Sequence, residues 1–114
     1  MIEIINSIRK YNFWNNNPME LSLRRAGFQV YVGTIKDTQV DFVAIKGERR
    51  IYLQVTLQLT EEKTIEREYR SLKLIEDNFD KYVVSMDDYK IPTNEGIEHI
   101  SAWNLDNFLI TNKL

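Results

Sequence analysis

Asp41 is an odd residue for its surroundings. It stands inside the apolar run "QVDFVAIK" (39–46), and thirteen positions later Gln54 stands inside "RIYLQVTLQL" (50–59), with Thr56 two residues beyond. A carboxylate and an amide oxygen held side by side are ligands for a hard divalent cation such as Mg²⁺, which takes oxygen donors. The set is short of charge for that work. Gln54 offers one carbonyl oxygen and no charge, and Thr56 supplies neither a carboxylate nor a cation. Affinity follows ligand charge, so one carboxylate with amides should hold Mg²⁺ poorly. The competing reading of Asp41, Gln54 and Thr56 is the ordinary polar face of a half-exposed strand.

Other chemistry-bearing residues are sparse. Lys63, Arg67 and Arg70 fall on one side of a helical stretch, a spacing that can present cations to a nucleic-acid backbone. Interleaved Glu62, Glu66 and Glu68 make a solvated face the preferred reading, with Glu68 able to pair with a basic neighbour and fix the helix. His99 is the single histidine and there is no cysteine, so a two-histidine or thiolate metal site is excluded and His99 reads as a strand-face residue. There is no nucleophile elbow and no glycine-rich phosphate loop.

The elements that must position these residues follow from periodicity. Asn15–Asn17 and Pro18 mark a turn and a helix start, with an Asn cap and proline in the first turn. The helix runs to Ala26 through Met19, Leu21 and Leu23, and Gly27 stops it. Residues 3–12 suggest an earlier short helix on Ile4, Ile5 and Ile8. Three alternating runs follow at 28–33, 39–46 and 50–59, and "KGERR" between the last two is a compact hairpin loop. Three runs with short links predict an antiparallel meander, with Asp41 beside Gln54 and with Tyr31 and Tyr52 sharing a face as an exposed aromatic patch. A helix over 61–77, capped by Thr60, carries Ile65, Tyr69, Leu72 and Ile75 as its apolar stripe, with a Glu66–Arg70 pair at i,i+4. Strands at 81–87 and 97–103 and a closing helix at 104–110, capped by Asn104, complete the order. A strand reached through a long helix is expected to run parallel to its predecessor. The class is α/β, a mixed sheet flanked by helices.

Composition bounds the rest. A chain of 114 residues, 43% hydrophobic and 28% charged, fits one domain with its own core, with 1–17 as a lead-in and 18–110 as the body. Formal net charge is −2 and the pI near 5.4, which argues against strong autonomous duplex binding but leaves a local basic patch open. The lack of cysteine fits a reducing compartment. No apolar run approaches the ~20 residues a bilayer requires, and "MIEIINSIRK" lacks a signal-peptide plan. The expectation is a cytoplasmic protein with no membrane association.

Helix, three strands, helix, strand is also the core order αβββαβ of restriction-endonuclease-like proteins of the PD-(D/E)XK type. The runs "LRRAGFQVYVG", "VDFVAIK", "IYLQVT", "TIEREYRSLKLIEDNFDKYVVSMD" and "GIEHISAWNLDNFLI" together resemble, over about residues 19–110, the C-terminal nuclease-like domain of unknown function of prokaryotic AAA-type ATP-binding proteins. The resemblance implies an ancestral metal site at Asp41, Gln54 and Thr56, where active members place an Asp and an (E/D)-x-K triplet. It implies a carboxylate from the first helix, where this chain has Asn16 and, one turn on, Glu20. It also makes Arg67 the candidate for a cation delivered from the long helix in place of the missing lysine. The chain has no P-loop, "GxxxxGK[ST]", so ATPase activity is not implied.

Two functions follow from this reading. The favoured one is a non-catalytic relic, needing no cofactor, that serves as a recognition or assembly module for DNA, for a protein partner such as an ATPase module, or for a second copy of itself. The alternative is a Mg²⁺-dependent DNA endonuclease using Asp41 and Gln54 with Glu20 or Asn16 and Arg67, and with Lys63, Arg67 and Arg70 on the nucleic acid.

Overall fold

Alternation of apolar and polar residues builds the sheet. The computed structural model describes residues 2–5, 18–59, 61–88 and 91–111. Its order is β1 (Glu3–Ile5), α1 (Pro18–Arg25), β2 (Gln29–Ile35), β3 (Thr38–Lys46), β4 (Arg49–Val55), α2 (Glu62–Lys73), β5 (Asp80–Ser85), β6 (Ile97–Ser101), a 3-10 turn (Ala102–Asn104) and α3 (Leu105–Thr111). The six strands lie in sequence order in one sheet. β1 to β4 are antiparallel neighbours, whereas β4–β5 and β5–β6 are parallel. The fold is α/β with a mixed sheet and three helices.

Period-two side chains send alternate residues to opposite faces. One face carries Val30, Val32, Phe42, Ala44, Ile51, Leu53, Tyr82 and Val84, covered by Leu23 of α1 and by Leu105 and Leu109 of α3. The other carries Ile35, Val40, Val43, Tyr52 and Val83, covered by Tyr69 and Leu72 of α2 and by Ile75. Each such fully buried large side chain is worth roughly 1.5–3 kcal/mol of transfer free energy, and both faces are covered. No helix among the described residues is long and apolar enough to cross a membrane.

Several expected boundaries move. Residues 3–5 form a strand rather than the start of a helix, with Glu3 opposite Thr34 and Ile5 opposite Val32. The unpaired edge of β2 captures them, a long-range pairing that local periodicity does not encode. Residues 6–17, including the Asn15–Asn17 cap, and Thr60 lie outside the described residues. β4 stops at Val55, not at 59, because Leu59 turns its N–H to the Asp87 carboxylate at 2.8 Å. α2 ends at Lys73 rather than 77; Asp77 is instead held by the Tyr52 hydroxyl at 2.6 Å. Asn104 belongs to the 3-10 turn that precedes α3. Glu66 and Arg70 form no ion pair among the described residues. Tyr52 is fully buried and Tyr31 is half-buried against the same α2-side core, so the expected exposed aromatic patch does not form.

Candidate functional site

The hairpin that carries Asp41 and Gln54 is set by its turn. Lys46 pairs with Arg49, leaving Gly47 and Glu48 as a two-residue loop, and Gly47 takes the positive φ of 63° that the loop needs. Counting back, Phe42 pairs with Leu53, and the next position sets Asp41 against Gln54. There the regular ladder gives way to side chains. Gln54 Oε1 accepts the Asp41 N–H at 2.6 Å, and Asp41 Oδ2 accepts the Val55 N–H at 2.8 Å. β4 meanwhile stays with β5: Gln54 pairs with Val83, and the Thr56 N–H reaches the Val84 carbonyl at 2.9 Å. β3 and β4 therefore part at this point, and the two polar side chains bridge the gap.

A bulge on the other side of β3 helps aim Asp41. Tyr31 pairs with Val43 and Gly33 with Val40, so β3 spends one residue more than β2 between them, and Asp41 and Phe42 lie opposite Val32. A bulge of this kind twists the strand and redirects a side chain.

Burial and charge at the site run against a carboxylate. Asp41 is pushed up to about 6, chiefly by burial; the Val55 N–H lowers it, the Glu68 charge raises it and the Gln39 side chain lowers it. Glu68 is raised by its own burial and lowered by neighbouring Arg67. Asp41 and Glu68 thus form a half-buried acidic pair between β3 and α2. Arg67 is exposed and its field falls on Glu68; none of the forces on Asp41 comes from it. No group of three His, Cys, Asp or Glu side chains suited to a metal exists among the described residues. An Mg²⁺ ion placed here would find two carboxylates and two oxygens already bonded to amides, a poor match to its demand for near-octahedral oxygen ligation.

The other candidates are scattered. Gln54 is only 6% exposed and faces the same gap as Asp41. Thr56 is half-buried and follows directly in the chain. Glu20 is on α1, across the sheet from α2, and its carboxylate is taken by Arg24 Nε at 2.6 Å, so it is not brought to Asp41. Asn16 lies outside the described residues. Lys63, Arg67 and Arg70 are exposed on α2 and form no salt bridge among the described residues, although the Arg67 charge acts on Glu68.

His99 belongs to a separate buried network at the β5–β6 end. The Ile91 N–H reaches Nδ1 at 3.3 Å, so Nδ1 accepts and Nε2 carries the proton. Nε2–H then donates to Ser85 Oγ at 2.6 Å, and the Ser85 hydroxyl donates to Asp87 Oδ2 at 2.7 Å. This direction of donation points the serine proton at the carboxylate, the reverse of a nucleophile–base pair. The network ties Asp87 and Ile91 to β5 and β6.

Glu68, whose charge acts on Asp41, stands in the sequence reading only as one acid of a solvated helix face. A signal for it was present: it falls between Ile65 and Leu72 on the sheet-facing side of α2, where a carboxylate needs a reason.

Comparison with known proteins adds one relative. The chain is 31% identical over 84 residues to a protein of Haemophilus influenzae described only as uncharacterized; the match covers 74% of this chain and 20% of the relative. The chain thus spans about a fifth of the length of the curated relative it matches. No family model matches, and no solved structure matches.

Proposed function

We propose that this chain is a non-catalytic recognition module on a degenerate nuclease-like scaffold, of the kind found at the tail of AAA-type ATP-binding proteins. The observation that carries the reading is the use of the ancestral ligands. Asp41 Oδ2 and Gln54 Oε1, the oxygens that would hold a metal, serve as rungs between parted strands. The exposed cations Lys63, Arg67 and Arg70 on α2, none of them in a salt bridge among the described residues, favour an anionic partner, a nucleic-acid backbone first of all, bound by phosphate contacts that carry no sequence information.

The test has two arms. Calorimetric titration with Mg²⁺ and Mn²⁺ is expected to show no binding tighter than millimolar, and plasmid DNA is expected to stay intact. DNA fragments are expected to bind with a salt dependence that shrinks in the Lys63→Gln, Arg67→Gln, Arg70→Gln triple variant. Metal-dependent nicking abolished by Asp41→Ala would overturn the non-catalytic reading. A salt-independent or absent DNA response would hand the surface to a protein partner such as an ATPase module.

One observation favours a second reading, an Mg²⁺-dependent DNA endonuclease. Glu68 brings a second carboxylate into the field of Asp41, supplying from α2 the charge that Gln54 lacks. In that case Glu68→Gln abolishes metal-dependent cleavage as fully as Asp41→Asn does.

A further inference from the structure

A cleft of about 670 Å³ opens between the end of α2 and the sheet, lined by Ile2, Leu74 and Ile75 and by the charged residues Lys36, Arg50, Glu76 and Asp77. That volume lies within the range of small-molecule sites. It belongs neither to the Asp41–Gln54 gap nor to the His99 network, and shares no residue with either.

We propose that this cleft binds a small organic acid, a monocarboxylate with an apolar tail, held head-first by Arg50. Arg50 is already positioned. Its guanidinium lies 5.3 Å from the Phe79 ring centroid, and Nη1 is 3.5 Å from the Tyr52 hydroxyl oxygen. It has no carboxylate partner among the described residues. A planar guanidinium so held, with N–H groups to spare, suits the bidentate geometry of a carboxylate.

The neighbouring acid does not quench it. Asp77 Oδ2 accepts the Tyr52 hydroxyl at 2.6 Å, and Oδ1 accepts the Phe79 N–H at 3.0 Å and Lys81 Nζ at 3.1 Å. Lys81 thus balances Asp77. Lys36, on the two-residue turn after β2, is exposed and also lacks an ion-pair partner among the described residues. Against Lys36 and Arg50 stands Glu76 alone, which leaves about one positive charge in surplus. That balance matches a monoanion and disfavours polyphosphates. Ile2, Leu74 and Ile75 supply the apolar wall against which an acyl chain buries its methylenes.

The experiment is an amide NMR titration of the full chain with sodium hexanoate, using acetate and hexanol as controls. Hexanoate is expected to move the Arg50, Leu74 and Ile75 amides. Acetate and hexanol each lack half of the recognition and are expected to bind at least about fivefold more weakly. Arg50→Gln is expected to weaken hexanoate by at least about tenfold; Lys36→Gln, on an exposed turn with no fold to lose, weakens it by about two- to fivefold. Unmoved amides, acetate or hexanol as effective as hexanoate, or hexanoate affinity unchanged in either variant would each overturn the proposal. Should Arg50→Gln fail to fold, Lys36→Gln decides.

Discussion

Asp41 and Gln54 each hold the other's strand: the amide oxygen of one accepts the N–H of the other at 2.6 Å, and the returning carboxylate accepts the next N–H along, that of Val55, at 2.8 Å. Two polar side chains thus replace the rungs missing where β3 and β4 part. Their first physical consequence is for stability, and it separates the two residues.

Gln54→Leu removes an acceptor from a site only 6% exposed and leaves the Asp41 N–H without its partner. An unsatisfied buried donor costs about 1–3 kcal/mol. Urea unfolding should show that loss with an unchanged m-value.

Asp41 behaves in the opposite sense. Its carboxyl is raised from 3.8 to about 6 in the folded chain, so the folded state binds the proton more tightly than the unfolded one. Ionisation of Asp41 therefore destabilises the fold at pH above about 6, and the penalty fades as pH falls from 6 toward 3.8. Asp41→Asn keeps an acceptor for Val55 without the charge. At pH 7.5 the variant should be more stable than the parent by about 1–2 kcal/mol, a value discounted for residual solvent contact. The difference should close near pH 4, as followed by thermal melts across that window.

Gly33 fits where no side chain does. A Cβ there would lie 2.8 Å from Ile2 Cδ1 and 2.8 Å from Val43 Cγ2. Gly33→Ala is expected to cost about 1–3 kcal/mol by overpacking, read by chemical denaturation. The double variant with Ile2→Ala should recover part of it.

Tyr69 has the reverse problem. Its hydroxyl is fully buried and finds no partner among the described residues, and burial raises its pKa. Tyr69→Phe removes a desolvated polar atom and keeps the ring. An unchanged or higher melting temperature is expected, by up to about 1 kcal/mol of stability. A clear loss would mean that the hydroxyl is bonded.

Much of the sheet could be read from residue order because its contacts are local. The alternation in 39–46 and 50–59 and the glycine at 47 determine a tight hairpin, and a tight hairpin fixes register. The adjacency of Asp41 and Gln54 thus needed no information from elsewhere in the chain. The crossover through α2 to a parallel β5 followed from the same short-range logic, as did the apolar stripe of Tyr69, Leu72 and Ile75.

The remaining features depend on residues far apart in sequence. Residues 3–5 read as helical from their own spacing, and became a strand because the free edge of β2, about thirty residues away, offered unsatisfied hydrogen bonds. The end of β4 was set by Asp87, and the end of α2 by the contact of Asp77 with Tyr52. Glu68 met Asp41 only because α2 packs on that face of the sheet. The same packing removed water from both carboxylates, and charge in a desolvated place is a property of the assembled fold. Residue types and their spacing determined which groups could meet; burial decided what their meeting does.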